Sequence, residues 1–352
     1  MPLRLADFYN TTRDARKAIV VDLGFLGDTV HLVPALRALQ AAYPRTAWHV
    51  LTTPVGREVL GLLENGPRIW AVDLAPETRS LRAQLAVLRA IRRERVDLAV
   101  NFSGADRTIF MTALTGARWR VGYAAARRHF WNRWLIPNWV APGRRDVPVF
   151  EQRRAMLATC GIPPGPVTFG LRAPADARAW AEAAIPHGAI HLSICASTHL
   201  REWPVERWRG LLAELARRWP GRALVATASR KPRELERLRQ VAAGLPPERL
   251  LTCEGLPLPR LAALLERCAL HVGPDSGVLH LAAALDRPTV GLFREYPGAD
   301  EWRPRGPQHH QVTILCPCVG QRPAPCESQP VAACLAALTP ATVLASIARA
   351  LE

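Results

Sequence analysis

Short apolar runs alternate along the chain with longer segments in which apolar residues recur every three or four positions. The first run, residues 18–23, leads into a glycine loop, after which residues 30–39 repeat at helical spacing. The same pattern predicts strands at residues 48–51, 98–101, 189–194, 223–227, 269–272 and 289–293, and helices at residues 81–93, 108–115, 205–218, 233–243 and 278–285. Such alternation is typical of a parallel sheet covered by helices on both faces.

A proline-rich stretch at residues 163–166 interrupts this alternation, which then starts again. A length of 352 residues also suits two domains. The sequence therefore predicts an α/β protein of two doubly wound domains, residues 1–165 and 166–352, facing a cleft. In such domains ligands bind beyond the carboxyl ends of the strands.

The chain is strongly basic, with a formal net charge of +16, and only Lys17 and Lys231 among its 46 basic residues are lysines. An excess of arginine favours an anionic partner such as a nucleic acid, a membrane face or a phosphorylated substrate. The alternative is that the arginines form solvated surfaces. A hydrophobic content of 49% excludes a chain that is mainly disordered.

Residues 328–348 carry no charge and are long enough to span a bilayer. Pro330 and Pro340 interrupt them, and Thr339 followed by Pro340 is typical of a helix start. We therefore expect two short helices there. The first 17 residues lack the apolar core of a signal peptide, and eight cysteines are too few for a disulfide scaffold, so we expect a cytoplasmic protein.

The first glycine loop contains Gly24, Gly27 and Asp28, and it lacks the full dinucleotide-binding spacing. Its backbone amides at a helix N-terminus nevertheless suit an anion. Asp28 is either a helix cap or a general base. His31 lies one turn later on the same face, where it either orients a ligand or packs.

A second loop, residues 273–280, also joins a strand to a helix. Asp275 and Ser276 either cap that helix or allow a diphosphate to approach its amides, and His280 shares the face of Ser276. A third segment contains Arg201, which follows Ser197 and Thr198. This arginine either holds a phosphate with two hydrogen bonds or is a surface charge.

Taken in order, these segments resemble glycosyltransferase family 9, the family of ADP-heptose:lipopolysaccharide heptosyltransferases. The resemblance extends from about Lys17 to Leu351, and its most specific parts are LGDTVHLVPAL at residues 26–36 and PDSGVLHLAAAL at residues 274–285. It implies the GT-B fold, an acceptor-binding domain at residues 1–165 and a nucleotide-sugar-binding domain at residues 166–352. It further implies an inverting reaction that requires no metal cofactor.

The resemblance also assigns roles by motif position. Asp28 becomes the catalytic base, with His31 and Arg201 beside it in the catalytic set. The implied donor-binding residues are Gly27, Ser197, Thr198, Glu234, Asp275, Ser276, Gly277 and His280, with Glu236 as the alternative to Glu234 at the ribose.

Two positions depart from the family pattern. Arg201 stands where the family usually has lysine, and the usual GPTD after the last strand is replaced by residues 294–298, REYPG. These departures leave a different sugar or nucleotide open.

The implied function is transfer of a heptose from ADP-heptose to a glycolipid acceptor of the lipopolysaccharide core type, at the inner face of the inner membrane. The alternatives are a protein acceptor, another nucleotide sugar, a nucleic-acid-binding protein, or a nucleotide-sugar-binding protein without turnover.

Two further clusters remain. Cys316, Cys318, Cys326 and Cys334 do not follow a standard zinc spacing, so we expect reduced, packed thiols. The alternative, a bound metal, is what the resemblance implies, since some relatives in that family that modify proteins carry cysteine-bound iron. The other cluster interleaves tryptophans with arginines, which predicts contact with the acceptor or with an anionic membrane, the alternatives being stacked nucleic acid bases and core packing. Its members are Trp119, Trp131, Trp134, Trp139, Arg118, Arg120, Arg127, Arg128 and Arg133.

Overall fold

A computed structural model describes residues 3–123, 131–141, 146–243, 245–296, 298–316, 318, 321 and 325–352. The chain divides into two compact units, Met1–Gly170 and Leu171–Glu352. Each unit is built around one parallel sheet of six strands.

The first unit carries its helices between and beside the strands of its sheet. The strands are β1 (Lys17–Val21), β2 (Ala47–Thr52), β3 (Arg68–Ala71), β4 (Leu98–Asn101), β5 (Trp119–Tyr123) and β6 (Asn138–Val140). The helices are α1 (Phe8–Thr12), α2 (Leu26–Ala42), α3 (Pro54–Leu60), α4 (Leu81–Arg93), α5 (Asp106–Leu114), α6 (Asn132–Leu135) and α7 (Val149–Thr159). The strand order is β3-β2-β1-β4-β5-β6.

The second unit repeats the plan. Its strands are β7 (Ile190–Ser193), β8 (Leu224–Ala228), β9 (Leu250–Glu254), β10 (Leu270–Pro274), β11 (Thr289–Arg294) and β12 (His309–Ile314). Its helices are α8 (Ala175–Ala184), α9 (Val205–Arg218), α10 (Pro232–Ala242), α11 (Leu258–Arg267), α12 (Gly277–Ala284), α13 (Ala333–Ala337) and α14 (Pro340–Leu351). The strand order is β12-β11-β10-β7-β8-β9.

Both sheets have the same topology. Counted from the first strand of each unit, the order is 3-2-1-4-5-6, which is that of a Rossmann domain. In this order the chain reverses direction across the sheet between the first and fourth strands, so the loops that follow them diverge and leave a crevice. The crevice lies beyond β1 and β4 in the first unit and beyond β7 and β10 in the second.

The central strands are buried on both faces, as the continuous apolar runs predict. Trp203 and Trp208 pack edge to face in the core of the second unit, with ring centroids 5.1 Å apart. The indole nitrogen of Trp203 also donates a hydrogen bond to the carbonyl of Leu338, which fixes the chain just before α14.

The apolar pattern located the central elements but missed the edges of the sheets. The predicted helices at residues 81–93 and 205–218 coincide with α4 and α9. Strands β3, β5, β6, β9 and β12 were not predicted. Since they lie at or near the sheet edges and are only partly buried, they lack a continuous apolar run.

The uncharged C-terminal segment forms two short helices, α13 and α14, as expected. The Thr339 hydroxyl accepts a hydrogen bond from the Thr342 amide, and Pro340 occupies the first position of α14. Among the helices that the structure describes, none is long and apolar enough to cross a bilayer.

The core of the second unit can be tested with two leucines. Leu212 on α9 is 1% exposed, whereas Leu251 on β9 is 38% exposed. Leu212→Ala should lower the free energy of unfolding by about 2–5 kcal/mol, because it removes buried methyl groups and leaves a cavity. Leu251→Ala is the matched control and should cost clearly less in denaturant titration of the purified protein. Equal losses would contradict the burial described here.

Candidate active site

The loop after β1 is shaped by a glycine that has no room for a side chain. A Cβ on Gly24 would lie 2.3 Å from the Cβ of Asp28 and 3.0 Å from a carboxylate oxygen of Asp22. The side chain of Asp28 therefore lies against the backbone of Gly24. Any larger residue at position 24 would displace it.

Asp28 is the third residue of α2 and does not cap that helix itself. Its Oδ2 accepts a hydrogen bond of 2.9 Å from the backbone amide of Phe25, the residue that precedes the helix. This is the acidic half of a capping box, and it orients the carboxylate toward the start of the helix. Asp28 is half-buried, and the neighbouring Phe25 side chain is 81% exposed.

Two residues that the sequence analysis did not single out fix this loop. Asp22 lies at the end of β1 and forms an ion pair of 3.0 Å with Arg153 on α7, and both side chains are buried. The other oxygen of Asp22 accepts from the Gly24 amide at 2.9 Å, while Arg153 donates to the carbonyl of Asp28 at 2.7 Å. The pair thereby holds both ends of the loop that presents Asp28. No local motif marks Arg153, since it is 125 residues from Asp28.

His31 is 4% exposed and stacks on Phe150, with ring centroids 5.7 Å apart and planes 24° apart. Gly27, one residue before Asp28, is buried as well. His31 thus packs between α2 and α7, which favours the packing interpretation over direct contact with a ligand.

In the second unit, three donors surround Asp275, which follows β10 and is 2% exposed. Its nearest contacts are Arg201 at 3.4 Å, the Nε2 of His280 at 3.5 Å and the hydroxyl of Tyr296 at 3.3 Å. Burial alone would raise the pKa of Asp275, but His280, Arg201 and Tyr296 outweigh it and lower that pKa below its usual value. Asp275 is therefore a buried carboxylate that stays ionised.

Ser276 occupies the N-cap position of α12 but makes no capping hydrogen bond with its side chain. Its Oγ is buried and finds no hydrogen-bond partner among the residues that the structure describes. Gly277 begins the helix directly after it. A buried hydroxyl without a partner is costly, so this atom and the adjacent amides suit a bound acceptor such as a phosphate oxygen.

The loop that carries Arg201 is anchored by its neighbour Glu202, which is 5% exposed. The Glu202 carboxylate accepts a hydrogen bond of 3.0 Å from the backbone amide of Ala196. Arg233 on α10 donates to both oxygens of the same carboxylate, each at 2.7 Å. The anchor fixes a loop in which the side chains of Ser197 and Thr198 are exposed. The sequence analysis missed both Glu202 and Arg233.

The two glutamates considered for the ribose have different surroundings. Glu234 is half-buried near the end of β8, where it accepts a hydrogen bond of 3.1 Å from the Ser229 amide. Glu236 is exposed and pairs with Arg239 and Gln240 along its own helix. Of the two, only Glu234 lies at the carboxyl edge of the sheet.

A histidine pair lies beneath these loops in the middle of the second sheet. The Nδ1 atoms of His191 on β7 and His271 on β10 are 2.8 Å apart, and the Nε2 of His191 bonds the Thr227 hydroxyl at 2.9 Å. Burial lowers the pKa of His191 to about 3 and that of His271 well below its usual value. Both rings are therefore neutral at pH 7.

The tryptophan–arginine cluster is largely packed. Trp119, Trp131 and Trp139 are half-buried, and Arg120 donates to the carbonyls of Ala117 and Leu135. The guanidinium carbon of Arg118 lies 4.9 Å from the centroid of the Trp119 ring, so the two side chains stack. Trp134 alone of the four tryptophans is strongly exposed, at 79%. Arg127 and Arg128 lie outside the described residues, as does the side chain of Arg133. Half-burial favours the packing alternative for three of the four tryptophans, and contact with the acceptor or a membrane stays a prediction.

The four C-terminal cysteines are buried in the second unit. The Sγ atoms of Cys316, Cys318 and Cys326 all lie within 4.8 Å of one another. The structure thus brings the cluster together in space.

The Asp22–Arg153 pair can be tested by a double-mutant cycle. Arg153→Met should lower the free energy of unfolding by about 3–5 kcal/mol, because it leaves a buried carboxylate without its cation. Adding Asp22→Asn should recover part of that loss in denaturant titrations. Strictly additive losses would show that the two side chains do not interact.

Comparison with known proteins identifies the family of the chain. The family described as glycosyltransferase family 9 (heptosyltransferase) matches residues 84–332, more than half of the chain. The lipopolysaccharide core heptosyltransferase OpsX of Haemophilus influenzae is 23% identical over 292 residues, which cover 80% of this chain and 80% of that protein.

Two solved structures share the fold at low identity. The ADP-heptose lps heptosyltransferase II of E. coli has a TM-score of 0.76 and 19% identity, covering 95% of this chain and 98% of that one. The E. coli heptosyltransferase WaaC with ADP-2-deoxy-2-fluoro heptose has a TM-score of 0.71 and 19% identity, covering 94% of this chain and 99% of that one. The chain belongs to glycosyltransferase family 9, the heptosyltransferase family, and it is a glycosyltransferase with the GT-B fold.

Proposed function

We propose that the protein transfers a heptose from ADP-heptose to a hydroxyl of a lipopolysaccharide core-type acceptor, inverting the anomeric carbon without a metal cofactor. The observation that carries the proposal is the arrangement beyond β10, where the unpartnered hydroxyl of Ser276 adjoins the ionised Asp275 and its partner Arg201. Relatives named as lipopolysaccharide heptosyltransferases support the sugar and the class of acceptor.

The second unit binds the donor diphosphate in this proposal. The hydroxyl of Ser276 and the first amides of α12 donate to phosphate oxygens, and the helix N-terminus favours their negative charge. Arg201 adds a cation. A guanidinium has five N–H donors, so contact with Asp275 leaves others for the diphosphate. These groups stabilise the charge that develops on the leaving diphosphate, which is the task that a metal performs in other transferases.

Asp275 binds hydroxyls of the sugar, and Glu234 binds the ribose. An ionised carboxylate accepts hydrogen bonds only, so it suits a ligand rich in hydroxyl donors. Tyr296 and His280 hold the Asp275 carboxylate in place. Ser197 and Thr198 offer exposed hydroxyls on the anchored loop after β7.

Asp28 acts as the general base on the acceptor hydroxyl. An alcohol is a weak nucleophile, and a positioned carboxylate that takes its proton contributes about 10²–10⁴-fold to the rate. The Phe25 amide and the Asp22–Arg153 pair hold the start of α2, and so set the direction of that carboxylate. Attack on the face opposite the departing diphosphate, in one displacement, gives inversion.

The charge of the chain supports the proposed acceptor and place of action. A lipopolysaccharide core acceptor is anionic and held by a membrane, and a chain of net charge +16 is attracted to both. Trp134, exposed beside a basic segment, suits the membrane interface. We therefore place the reaction at the cytoplasmic face of the inner membrane.

One observation favours a second candidate, a transferase for a different nucleotide sugar. Tyr296, in the segment that departs from the family pattern, already contacts Asp275. A phenol at this point changes the space and the hydrogen bonds available to the sugar.

The role of Asp28 can be tested by Asp28→Asn. The amide keeps the shape of the side chain but cannot take a proton, so turnover should fall by about 100-fold or more while donor binding persists. Asp14→Asn, an exposed carboxylate that precedes β1 at the opposite end of that strand, is the matched control and should leave turnover unchanged. Steady-state transfer assays measure both variants, and wild-type turnover in Asp28→Asn would remove this residue from the mechanism.

Donor binding can be tested by calorimetry with ADP-heptose and with a UDP-sugar. The wild-type protein should bind ADP-heptose more tightly, and Arg201→Ala should weaken that binding by about 10-fold or more, since a charge-assisted hydrogen bond contributes roughly 1.5–3 kcal/mol. Arg217→Ala, at an exposed pair on α9, is the control. Preference for the UDP-sugar would favour the second candidate, and unchanged binding in Arg201→Ala would make this arginine a surface charge.

A further inference from the structure

Phe25, the residue that precedes α2, is more exposed than any other large apolar residue that the structure describes. Its exposed fraction is 81%. A phenyl ring left in water forgoes the free energy that burial of its surface would release. A ligand that covers the ring would recover that free energy, so this position suits a binding contact.

The residue before Phe25 is held at both of its backbone groups. The amide of Gly24 donates a hydrogen bond of 2.9 Å to Asp22, which is itself paired with Arg153. The hydroxyl of Thr53 donates to the carbonyl of Gly24 at 3.2 Å. The chain therefore enters Phe25 in one fixed direction.

The backbone of Phe25 itself is held in the same way. Its amide donates to the Asp28 carboxylate at 2.9 Å, and its carbonyl accepts from the amide and the hydroxyl of Thr29 at 3.1 Å and 3.3 Å. Four consecutive backbone groups are thus satisfied, so the Cβ of Phe25 has a fixed place although its ring lies in water. A ring on a fixed backbone loses little conformational freedom when a ligand binds.

The ring also lies close to the proposed base. The Phe25 amide that donates to the Asp28 carboxylate is joined to the ring through only two carbons, Cα and Cβ. A hydroxyl that gives its proton to Asp28 therefore brings the sugar that carries it beside this ring. In the proposed mechanism this hydroxyl belongs to the acceptor, not to the nucleotide sugar.

A sugar ring and a phenyl ring complement each other. The hydroxyls of a pyranose lie around its edge, whereas its faces present C–H groups. These C–H groups carry a small positive charge and are attracted to the negative face of an aromatic ring. Stacking leaves the edge hydroxyls free, so one of them can reach a carboxylate beside the phenyl ring.

We propose that Phe25 determines acceptor specificity, because the acceptor sugar stacks on its ring and one hydroxyl is thereby directed to Asp28. This role rests on the proposed function of Asp28 as general base. It adds a ligand contact that the charge of the chain does not provide, since a phenyl ring recognises the apolar face of a sugar rather than its phosphate groups.

The test is steady-state transfer kinetics with a core-type oligosaccharide from which the lipid has been removed. Phe25→Ala should raise the acceptor KM about 10-fold, as truncation of an aromatic anchor does at other interfaces, and leave kcat within about 2-fold. Phe25→Tyr keeps the ring and should restore the wild-type KM. Phe25→Leu keeps most of the apolar volume without a ring face, and its KM should stay close to that of Phe25→Ala.

Leu114→Ala is the matched control, since Leu114 is 47% exposed at the end of α5 that lies on the opposite edge of the first sheet. It should leave KM and kcat unchanged. Because both side chains are exposed, none of these variants should change the melting temperature or the calorimetric affinity for ADP-heptose.

Saturation-transfer NMR measures binding of the same oligosaccharide without turnover. Irradiation of the aromatic protons of the protein should transfer saturation most strongly to C–H protons on one face of one sugar. Phe25→Ala should abolish that selectivity.

Four results would overturn the proposal. The first is an unchanged acceptor KM in Phe25→Ala, and the second is a wild-type KM in Phe25→Leu, which would make the contact a general apolar one. A KM effect confined to the lipid-bearing acceptor would assign the ring to the lipid, and a fall in kcat alone would show that the side chain acts only through the position of Asp28. Wild-type protein that transfers no heptose to this oligosaccharide would refute the proposed acceptor and with it the role of Phe25, whereas the four results above leave transfer itself intact.

Discussion

The strand order of the two sheets is the constraint on which both parts of the candidate site depend. In a parallel sheet of order 3-2-1-4-5-6, the loops after the first and fourth strands turn toward opposite faces. A gap therefore forms between them, lined by backbone amides and by the side chains that end each strand. Asp22 and the loop to Asp28 follow β1, whereas Ser197 and Asp275 follow β7 and β10. The fold places Asp22 and the loop to Asp28 at the crevice of the first unit, and Ser197 and Asp275 at the crevice of the second.

Three buried carboxylates in these loops each have an arginine as partner. Asp22 pairs with Arg153, Glu202 with Arg233, and Asp275 with Arg201. A buried carboxylate is tolerated only when a cation and hydrogen bonds replace its water. Part of the arginine excess thus stabilises the loops from within the protein. Arg201 differs from the other two because its side chain is 35% exposed, which leaves it accessible to a ligand.

The sequence predicted the centre of each sheet and the loops of the candidate site because these features are local. A buried parallel strand has a continuous apolar run, and the glycine and aspartate of a strand–helix loop stand next to each other in the chain. Edge strands such as β3 and β12 lack that run. Arg153 and Glu202 could not be found locally, since their roles depend on partners in other elements. The sequence left two interpretations of the tryptophans near Trp134 open, because alternating aromatic and basic residues look alike whether they pack or protrude. The convergence of the cysteines was equally hidden, because their spacing follows no familiar pattern.

The neutral histidine pair gives the second unit an unequal response to acid. In the unfolded chain His191 and His271 take up protons near pH 6.5. In the folded chain the pKa of His191 is about 3, and a second charge 2.8 Å away would repel the first. Between pH 6.5 and pH 3 the unfolded chain therefore binds more protons than the folded chain. The free energy of unfolding consequently falls as the pH drops below about 6.5. Acid should therefore destabilise the second unit through this pair, whereas the described strands of the first unit contain one buried histidine, His49 on β2, whose pKa is also lowered by burial.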